Sequence, residues 1–415
     1  MLGLAGQLGE SGAEVRMCAP PDFAGPAEAA GVALTPIGRP VREMVKGAVT
    51  GTAPRPPEGL AERAAAMTAT TYEAVTAAAA GGCDAVVATG LFPAAAGARS
   101  VAEKLGVPYV FVAYFPSCLP SPHHPPSALP GRPFPPEVSE TRALWDLDAA
   151  NQNVLFGTGL NAHRATVGLP PVDRFRDYVL TGRPWLAADP ALGPWQEHPG
   201  LDVVQTGAWF RPGGPPLPAG LEAFLDAGPP PVSVGFGSMP VRDAQDVARA
   251  AVGAVRAQGR RVLLSGGWAG LAPTDDQDDC FCVGEADHHA LFPRVAAVVH
   301  HGGAGTTATA ARAGTPQVVI PQMADQPYWA GRVAALGIGA AHDGPEPALE
   351  SLSAALATAL DPSTRARAKT VAGLVRTDGA TVAARLLLDT LWKTHEDLAE
   401  GAARPVAGRR PLGRS

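Results

Sequence analysis

Lysine is scarce in this chain. The 415 residues include only four, which are Lys46, Lys104, Lys369 and Lys393. The net charge is −6, and the arginines form no stripe or run in the body of the chain. Proteins that bind nucleic acid neutralise its phosphates with clustered positive charge. The composition therefore argues against a nucleic-acid partner.

Cysteine is also scarce, which bears on metals and disulfides. The five cysteines are Cys18, Cys83, Cys118, Cys280 and Cys282. The last two have no second pair at the spacing of a zinc site, so all five are expected to be buried thiols in a reducing cytoplasm. The acidic run from Asp275 to Asp279 is expected to be a solvated loop. The sequence thus predicts no bound metal.

Long apolar runs are missing as well. No segment is long enough and apolar enough to cross a bilayer. The first residues do not form a signal peptide, because Glu10, Gly12 and Glu14 interrupt any hydrophobic segment. The sequence therefore predicts a soluble, cytoplasmic protein without membrane insertion.

The first half of the chain alternates predicted strands and helices. Asp84–Gly90 and Pro108–Phe115 are continuous apolar strands, and each follows a predicted helix, at Glu62–Ala80 and Ala95–Leu105. Continuous apolar strands are typical of a parallel sheet that is covered on both faces. A further helix is predicted at Arg142–Leu169, with a break near its glycines at 157 and 159.

A second alternating region follows a proline-rich stretch. Its predicted strands are Val232–Phe236, Arg261–Ser265, Phe281–Val283, Ala296–Val299 and Gln317–Pro321. A chain of this length is too long for one ordinary core and long enough for two α/β domains. We therefore predict a first domain at 1–192, a linker at 193–218, a second domain with closing helices at 219–400 and a disordered tail at 401–415. The fold class is two Rossmann-like parallel-sheet domains that face each other across a cleft.

The richest motif follows the predicted strand Ala296–Val299. His300, His301 and the glycine-rich stretch Gly302–Gly305 lead into a helix that opens with Thr306. Free N–H groups and the helix dipole make such a turn an anion site that suits a diphosphate, and glycine lets the backbone approach closely. A plain turn with a threonine cap is the alternative, but two adjacent histidines favour a ligand site. No lysine follows the last glycine, which excludes a Walker loop.

A second polar pair follows the next strand. Asp325 and Gln326 come after Gln317–Pro321, at the same predicted edge of the sheet. A carboxylate beside an amide offers acceptors and donors to neighbouring sugar hydroxyls. Asp325 can also cap the helix that begins near Pro327, and the two roles are compatible.

Three other strand ends in this half carry small residues. They are Gly235–Ser238, Ser265–Trp268 and Val283–Glu285. Ligands of open α/β sheets bind outside the carboxyl ends of the strands. We expect these ends to form the floor of one nucleotide pocket. The indole of Trp268 packs either on a base or on the core, and the sequence does not decide between the two.

Several segments together resemble a known family. HHGGAGTT (300–307), PQMADQP (321–327), VRMCAPPDF (15–23) and AHDGP (341–345) are similar to the nucleotide-diphosphosugar glycosyltransferases of natural-product pathways, above all those that decorate vancomycin-type glycopeptide antibiotics. The likeness runs from Met1 to about Leu388. It implies the two-domain GT-B fold, an aglycone-binding first domain and a second domain that binds a UDP- or dTDP-sugar. It also implies transfer with inversion and without a metal ion.

The resemblance assigns roles to single residues. Those that would hold the diphosphate are His301, Gly303, Ala304, Gly305 and Thr306. Ser238 would lie beside the phosphates or the ribose, and Val283 would meet the base through its backbone. Asp325 and Gln326 would bind the sugar, with Asp325 orienting the donor for the reaction. Another acceptor on the same fold, such as a macrolide or a polyketide, is the alternative that VRMCAPP and AHDGP disfavour.

The chain departs from the family at its start. Family members open with a strand and a GSRGD-like loop, whereas residues 1–15 here correspond to the helix that follows. That loop carries the aspartate proposed as general base, so no residue takes this role by motif. A start codon assigned too late and a truncated, non-catalytic product that binds nucleotide sugar both stay open. As it stands, the chain is expected to bind donor and to transfer sugar slowly.

A long loop in the first half contains two histidines that could replace the missing general base. It runs from Pro116 to Pro136, is rich in proline and contains His123 and His124. Loops of this length are usually functional, and this one is the predicted place for acceptor specificity. Solvated loop histidines are commoner than catalytic ones, so a base is not assigned here.

Overall fold

The computed structural model describes residues 1–43, 59–211, 213–239, 241 and 243–403, with side chains as far as Trp392. Most of the tail predicted to be disordered lies outside these residues. The helix that precedes it continues to Ala403, so the first three residues of the predicted tail are helical.

The first part of the chain contains short strands between longer helices. The strands are β1 (Arg16–Ala19), β2 (Ala33–Pro36), β3 (Val86–Thr89), β4 (Tyr109–Ala113), β5 (Trp185–Leu186) and β6 (Val204–Gln205). The helices are α1 (Leu2–Glu10), α2 (Ala24–Ala29), α3 (Leu60–Ala78), α4 (Phe92–Leu105), α5 (Thr141–Gln152), α6 (Thr158–Thr166) and α7 (Phe175–Leu180).

The second part repeats the alternation with more regular spacing. Its strands are β7 (Val232–Val234), β8 (Val262–Ser265), β9 (Cys280–Val283), β10 (Ala297–His300), β11 (Gln317–Val319) and β12 (Gly339–Ala341). Its helices are α8 (Ala219–Asp226), α9 (Ala244–Ala257), α10 (His288–Leu291), α11 (Ala304–Arg312), α12 (Gln326–Ala335), α13 (Leu349–Leu360), α14 (Pro362–Ala372) and α15 (Gly379–Ala403).

The second domain is built on one six-stranded parallel sheet. The strand order is β12-β11-β10-β7-β8-β9, and every neighbouring pair is parallel. All residues of β7, β10 and β11 are buried, which explains why these strands are mostly apolar, with one polar residue each (Ser233, His300 and Gln317). Each of the five strands predicted here is confirmed to within two residues, while β12 is new.

The first domain divides its strands between two parallel sheets. β3, β4, β5 and β6 form one sheet in that order, and β1 pairs with β2 in the other. Residues of β6 fall inside the predicted linker 193–218, because proline on either side hides a strand of two residues. The first sheet therefore extends further along the chain than the sequence indicates.

The predicted break in the helix of residues 142–169 is a π-helical turn. Residues Asn153–Gly157 form this turn between α5 and α6, and the helix continues through it. The Asn153 side chain accepts a hydrogen bond from the Phe175 backbone N–H at 2.7 Å. A π turn widens a helix without ending it, which the glycine pattern alone does not reveal.

The two domains share apolar packing. One buried cluster contains Phe111 and Leu192 from the first domain with Val319 and Trp329 from the second. The last helix, α15, crosses back: its Ala383, Ala384 and Leu387 pack against a group that consists of Leu4, Leu8, Val112, Trp185 and Ala187. The sequence places this helix at the end of the second domain, whereas its apolar face covers the first. No helix within the described ranges is long and apolar enough to cross a membrane.

Candidate functional site

The candidate site lies along the carboxyl edge of the six-stranded sheet. Five consecutive strands, β11, β10, β7, β8 and β9, end there in that spatial order. Each end carries one of the motifs singled out from the sequence. Because neighbouring strands are about 4.8 Å apart, the five ends span roughly 19 Å. This edge is where open α/β sheets bind extended ligands.

The glycine loop after β10 is a backbone anion site. Gly302 has φ +94°, and a β-carbon there would lie 2.6 Å from Cγ1 of Val319, so only glycine fits. Gly303 is the N-cap of α11 and brings no side-chain oxygen to the helix amides. The Ala304 N–H bonds the Asp325 carboxylate, while the other amides of the first turn, including that of the exposed Gly305, are left for a ligand.

The two adjacent histidines do different things. His300 is 1% exposed; its Nδ1 accepts from the Gly302 N–H at 3.1 Å, and its Nε2 lies 2.9 Å from Oε1 of Gln317. Burial, and then the neighbouring His301, lower the pKa of His300 to about 3. The neutral ring thus carries its proton on Nε2 and holds the turn. The sequence interpretation placed both histidines at the mouth of the site, and for His300 it is wrong.

His301 lies in the site itself. A β-carbon at Gly303 would be 2.7 Å from its Nε2, and one at Gly237 would be 3.3 Å from its Cε1, so the ring stands between these two glycines. Its Nδ1 is buried and has no hydrogen-bond partner among the described residues. Burial, and then His288, lower the pKa of His301 to about 4. At neutral pH the ring is uncharged and has one N–H to donate.

Asp325 occupies the next strand end. It is the N-cap of α12, and its Oδ2 accepts from the indole N–H of Trp329 at 2.9 Å. Burial raises the pKa of this carboxyl, against hydrogen bonds from its own backbone, from Trp329 and from the Ala304 backbone. The preceding Ala324 has φ +55°, a strained value that is typical of functional turns. The contact with Ala304 brings the two motifs together.

Gln326, which the sequence assigns to the sugar, is instead occupied within the turn. Gln326 is 5% exposed, and its Oε1 accepts from the backbone N–H groups of Gln322 (2.7 Å) and Met323 (3.1 Å), so it holds the turn. The Nε2 of Gln322 is buried and has no partner in the part of the chain that the structure describes. Gln322 is therefore an unused donor that the sequence analysis missed, although it stands beside the strand end.

The ends of β7, β8 and β9 are joined by backbone hydrogen bonds. The Trp268 N–H donates to the Gly237 carbonyl at 2.9 Å, and the Gly266 N–H donates to the Val283 carbonyl at 3.0 Å. Ser238 follows Gly237 and is exposed. The Val283 side chain is buried in the core, which leaves only its backbone for a ligand. The predicted site residues thus lie on one continuous edge.

The acidic run after β8 is partly neutralised. Arg256 contacts Asp275 and Asp279 at 2.6 Å each, so these two carboxylates are held by an ion pair rather than solvated freely. Within the described ranges, no group of three or more histidine, cysteine or acidic side chains is arranged to hold a metal ion.

The first domain borders the Asp325 end of the edge. Cys118, in the turn that follows β4, is half-buried, and burial raises its pKa to about 12, with a further contribution from the Asp325 carboxylate. A β-carbon at Gly193 would lie 3.1 Å from the Trp329 ring, and the Leu192 carbonyl accepts from Arg332 at 2.6 Å. The loop from Pro116 therefore begins beside the second-domain strand ends.

The histidines of that loop differ in burial. His123 is exposed. His124 is half-buried, with ring centroids 5.9 Å from Trp145 and 6.4 Å from Trp195. Neither ring nitrogen of His124 has a hydrogen-bond partner among the residues described. The loop thus presents an aromatic wall with unused polar atoms.

Comparisons with known proteins agree over nearly the whole chain. The family described as "Erythromycin biosynthesis protein CIII-like, C-terminal domain" matches residues 278–381. The vancomycin aglycone glucosyltransferase of Amycolatopsis orientalis is 52% identical over 94% of each chain. The dTDP-epi-vancosaminyltransferase of the same organism is 48% identical over 94% of each chain.

Solved structures share the fold. The glycotransferase of kitacinnamycin superimposes with a TM-score of 0.65 at 18% identity, over 94% of each chain. The glycosyltransferase VinC in complex with dTDP gives 0.62 at 21% identity, over 95% of this chain and 96% of that one. These neighbours confirm the two-domain arrangement of Rossmann-like parallel sheets.

Proposed function

The chain belongs to the glycosyltransferases of vancomycin-type glycopeptide antibiotic biosynthesis, and from this premise we propose that it moves a hexose from a UDP- or dTDP-sugar to a hydroxyl of a glycopeptide aglycone. A sugar already attached to the aglycone is an equivalent acceptor. One close relative is named for glucose transfer to the vancomycin aglycone and another for a dTDP-sugar. The cytoplasmic location predicted from the sequence stays a prediction.

The order of the strand ends is the observation that carries this proposal. It suits a donor that lies along the edge, with its base at Val283, its ribose near Ser238 and its sugar at Asp325. The diphosphate then meets the first turn of α11 and His301. The partnerless donors, Nδ1 of His301 and Nε2 of Gln322, support this placement because buried polar groups in native sites normally have partners.

The chemistry follows from where charge develops. As the bond from the anomeric carbon to the leaving diphosphate breaks, negative charge grows on the phosphate oxygens. Backbone N–H groups, the helix dipole and the neutral His301 stabilise that charge without a metal ion. The acceptor oxygen attacks from the opposite face, which inverts the anomeric centre. A phenolic acceptor ionises near pH ~10, so its proton must leave to a base within hydrogen-bond reach.

The sugar end favours a neutral hexose. One oxygen of the Asp325 carboxylate already accepts from Trp329, and the neighbouring Gln322 offers a neutral N–H donor. This set matches hydroxyl groups and makes no separate provision for an ammonium group. We therefore place a UDP-hexose, glucose or N-acetylglucosamine, ahead of an amino-deoxysugar.

Transfer assays with the full chain test donor and acceptor separately. UDP-glucose, UDP-N-acetylglucosamine and a dTDP-aminodeoxysugar are each offered with a glycopeptide aglycone and with a macrolide aglycone. We expect product from a UDP-hexose and the glycopeptide. Product from the aminodeoxysugar alone refutes the donor, and product from the macrolide alone refutes the acceptor. Donor binding without any transfer supports the non-catalytic alternative.

A further inference from the structure

A cavity of about 490 Å³ lies in the first domain, apart from the donor edge. All of its lining residues fall between positions 99 and 201. Thr181 and Gly182 come just before β5, and Leu201 just before β6, so the cavity opens near the amino ends of these strands. The donor motifs follow the carboxyl ends of strands in the other domain. The cavity is therefore not part of the proposed donor site.

Arg99 supplies an unsatisfied cation to this cavity. Its guanidinium carbon lies 4.1 Å from the centre of the Tyr178 ring and 5.7 Å from that of Tyr109, which fixes its plane. Its Nη1 is buried and has no hydrogen-bond partner within the described ranges. Burial lowers the pKa of Arg99, as expected for a cation that has lost water. An unmet buried donor of this kind destabilises the empty site.

The acid nearest in sequence to Arg99 is already engaged. Both oxygens of Glu103 bond to Arg164, at 2.8 and 3.0 Å, and one also accepts from the Tyr178 hydroxyl at 3.1 Å. Glu103 attracts the Arg99 charge, but no salt bridge joins the two among the described residues. The positive charge of Arg99 is thus left without a bonded carboxylate.

The other two arginines of the cavity have acidic partners. Arg174 pairs with Asp177, and Arg176 pairs with Asp148 at 3.3 Å. The Arg176 side chain is 8% exposed, and its Nε has no hydrogen-bond partner in the described part of the chain. Its closest acidic oxygen at that side belongs to Asp177, at 3.7 Å. The cavity therefore has an excess of positive charge and two unused guanidinium N–H groups.

One residue of the cavity wall is held in a strained backbone conformation. Thr181 has φ +62°, which is unusual for a β-branched residue, and its hydroxyl accepts from the Arg183 N–H at 3.2 Å. Strain of this kind persists only where surrounding contacts enforce it, and it clusters at ligand sites.

We infer that this cavity binds a small molecule through one negatively charged group, a carboxylate or a phosphate, that accepts hydrogen bonds from Nη1 of Arg99 and Nε of Arg176. One anion matches the single unpaired cation and satisfies both buried donors. The site is separate from the proposed donor site, since it involves no residue of the donor edge.

Thermal unfolding with added anions tests the inference. The full chain is melted in saturating UDP, which occupies the donor site, with inorganic phosphate, acetate or chloride at equal ionic strength. We expect phosphate or acetate to raise Tm by about 2–4 °C over chloride. Arg99→Met should abolish the rise and Arg99→Lys, which keeps the charge, should retain part of it. A response to acetate alone indicates a carboxylate ligand, and a response to phosphate alone a phosphate ligand.

The matched control is Arg249→Met. Arg249 is a surface arginine of α9, 66% exposed and paired with Asp246, so this variant loses the same charge far from the cavity. It should keep the whole anion response. In chloride, Arg99→Met should melt no lower than the unchanged chain, because it removes a buried cation that lacks a counter-ion. An equal anion response in Arg99→Met and Arg249→Met, or no response in the unchanged chain, overturns the inference. UDP binding by Arg99→Met is measured as well, and it tests the proposed donor site separately from the cavity.

Discussion

The second-domain edge and the first-domain cavity are both proposed to bind an anion, but they would bind it through different kinds of donor group. Around His301 the donors are backbone N–H groups and neutral rings, and glycines bring them close. In the cavity the donor is a formal cation, Arg99. Neutral donors need no counter-charge when the site is empty, whereas a buried cation does. The donor edge therefore suits a ligand that must leave after each turnover. The cavity should retain its anion, because the anion neutralises the charge of Arg99.

The glycine loop of the donor edge should tolerate a single added methyl group less well than the first-domain cavity. Gly302→Ala tests this. The new β-carbon meets Val319 at 2.6 Å and must adopt φ +94°. Left-handed strain and overpacking together should lower the free energy of unfolding by about 2–5 kcal/mol. Urea denaturation measures the loss.

Gly305→Ala is the matched control for that change. A β-carbon at Gly305 meets nothing within 4 Å, and alanine is favoured in a helix. The variant should be as stable as the unchanged chain or slightly more so. Equal losses at both glycines would mean that close packing does not explain the loop.

The two histidines sharpen the comparison within the donor region. His301→Ala should weaken UDP binding about 10- to 100-fold, the effect of losing a hydrogen bond to a charged group. His300→Ala should instead reduce the free energy of unfolding by about 1–3 kcal/mol, because it removes the bond to Gln317 and leaves the buried side-chain oxygen of Gln317 without that partner. Calorimetry and urea denaturation on both variants separate binding from stability. Equal loss of UDP affinity in the two variants contradicts the division of roles.

A further effect is expected on the pH dependence of stability. The pKa values of His300 and His301 lie at about 3 and about 4, below the ordinary histidine value of 6.5. Between pH 6.5 and 4 the unfolded chain therefore binds more protons than the folded one, and stability falls as the pH drops through this window. Well above pH 6.5 the rings are neutral in both the folded and the unfolded chain, so neither contributes a slope there. Burial also lowers the pKa of His124, His288 and His289, so these act in the same direction.

Melting curves between pH 7.5 and 4.5 measure this slope. His300→Gln should flatten it, because that variant has no titrating ring at this buried position. The arginine-built cavity should add no slope in this range, because a guanidinium does not titrate there. If His300→Gln shows the same dependence of stability on pH as the unchanged chain, His300 is not the cause of that dependence.

The sequence predicted the second domain better than the first, for a physical reason. Strands such as β10 and β11 are buried on both faces and read as apolar runs, so their place in a parallel sheet is visible. The strands β5 and β6 have two residues each, too few to show any period. Their pairing depends on distant neighbours, which a local pattern does not contain.

The candidate site also contains parts that the sequence predicted and parts that it did not. The glycine loop is contiguous in sequence, so its function as an anion site could be inferred from residues 301–306. That His300 faces the core while His301 faces the site follows from the alternation of side chains at the end of a strand, a step that the motif alone does not suggest. The free amide of Gln322 depends on the fold of the turn, and the Arg99 cavity gathers residues from four separate segments. Such a site has no motif to find.

The return of α15 to the first domain has a consequence for the order in which the protein matures. Ala383, Ala384 and Leu387 complete an apolar group whose other members include Leu4 and Trp185. During synthesis the amino-terminal domain emerges from the ribosome first, but this part of its core stays uncovered until the whole second domain has been made. This apolar group of the first domain therefore stays exposed to solvent until α15 is translated, nearly two hundred residues after the last strand of that domain, β6. Protection of α1 against proteolysis in ribosome-bound chains should therefore arise late and all at once.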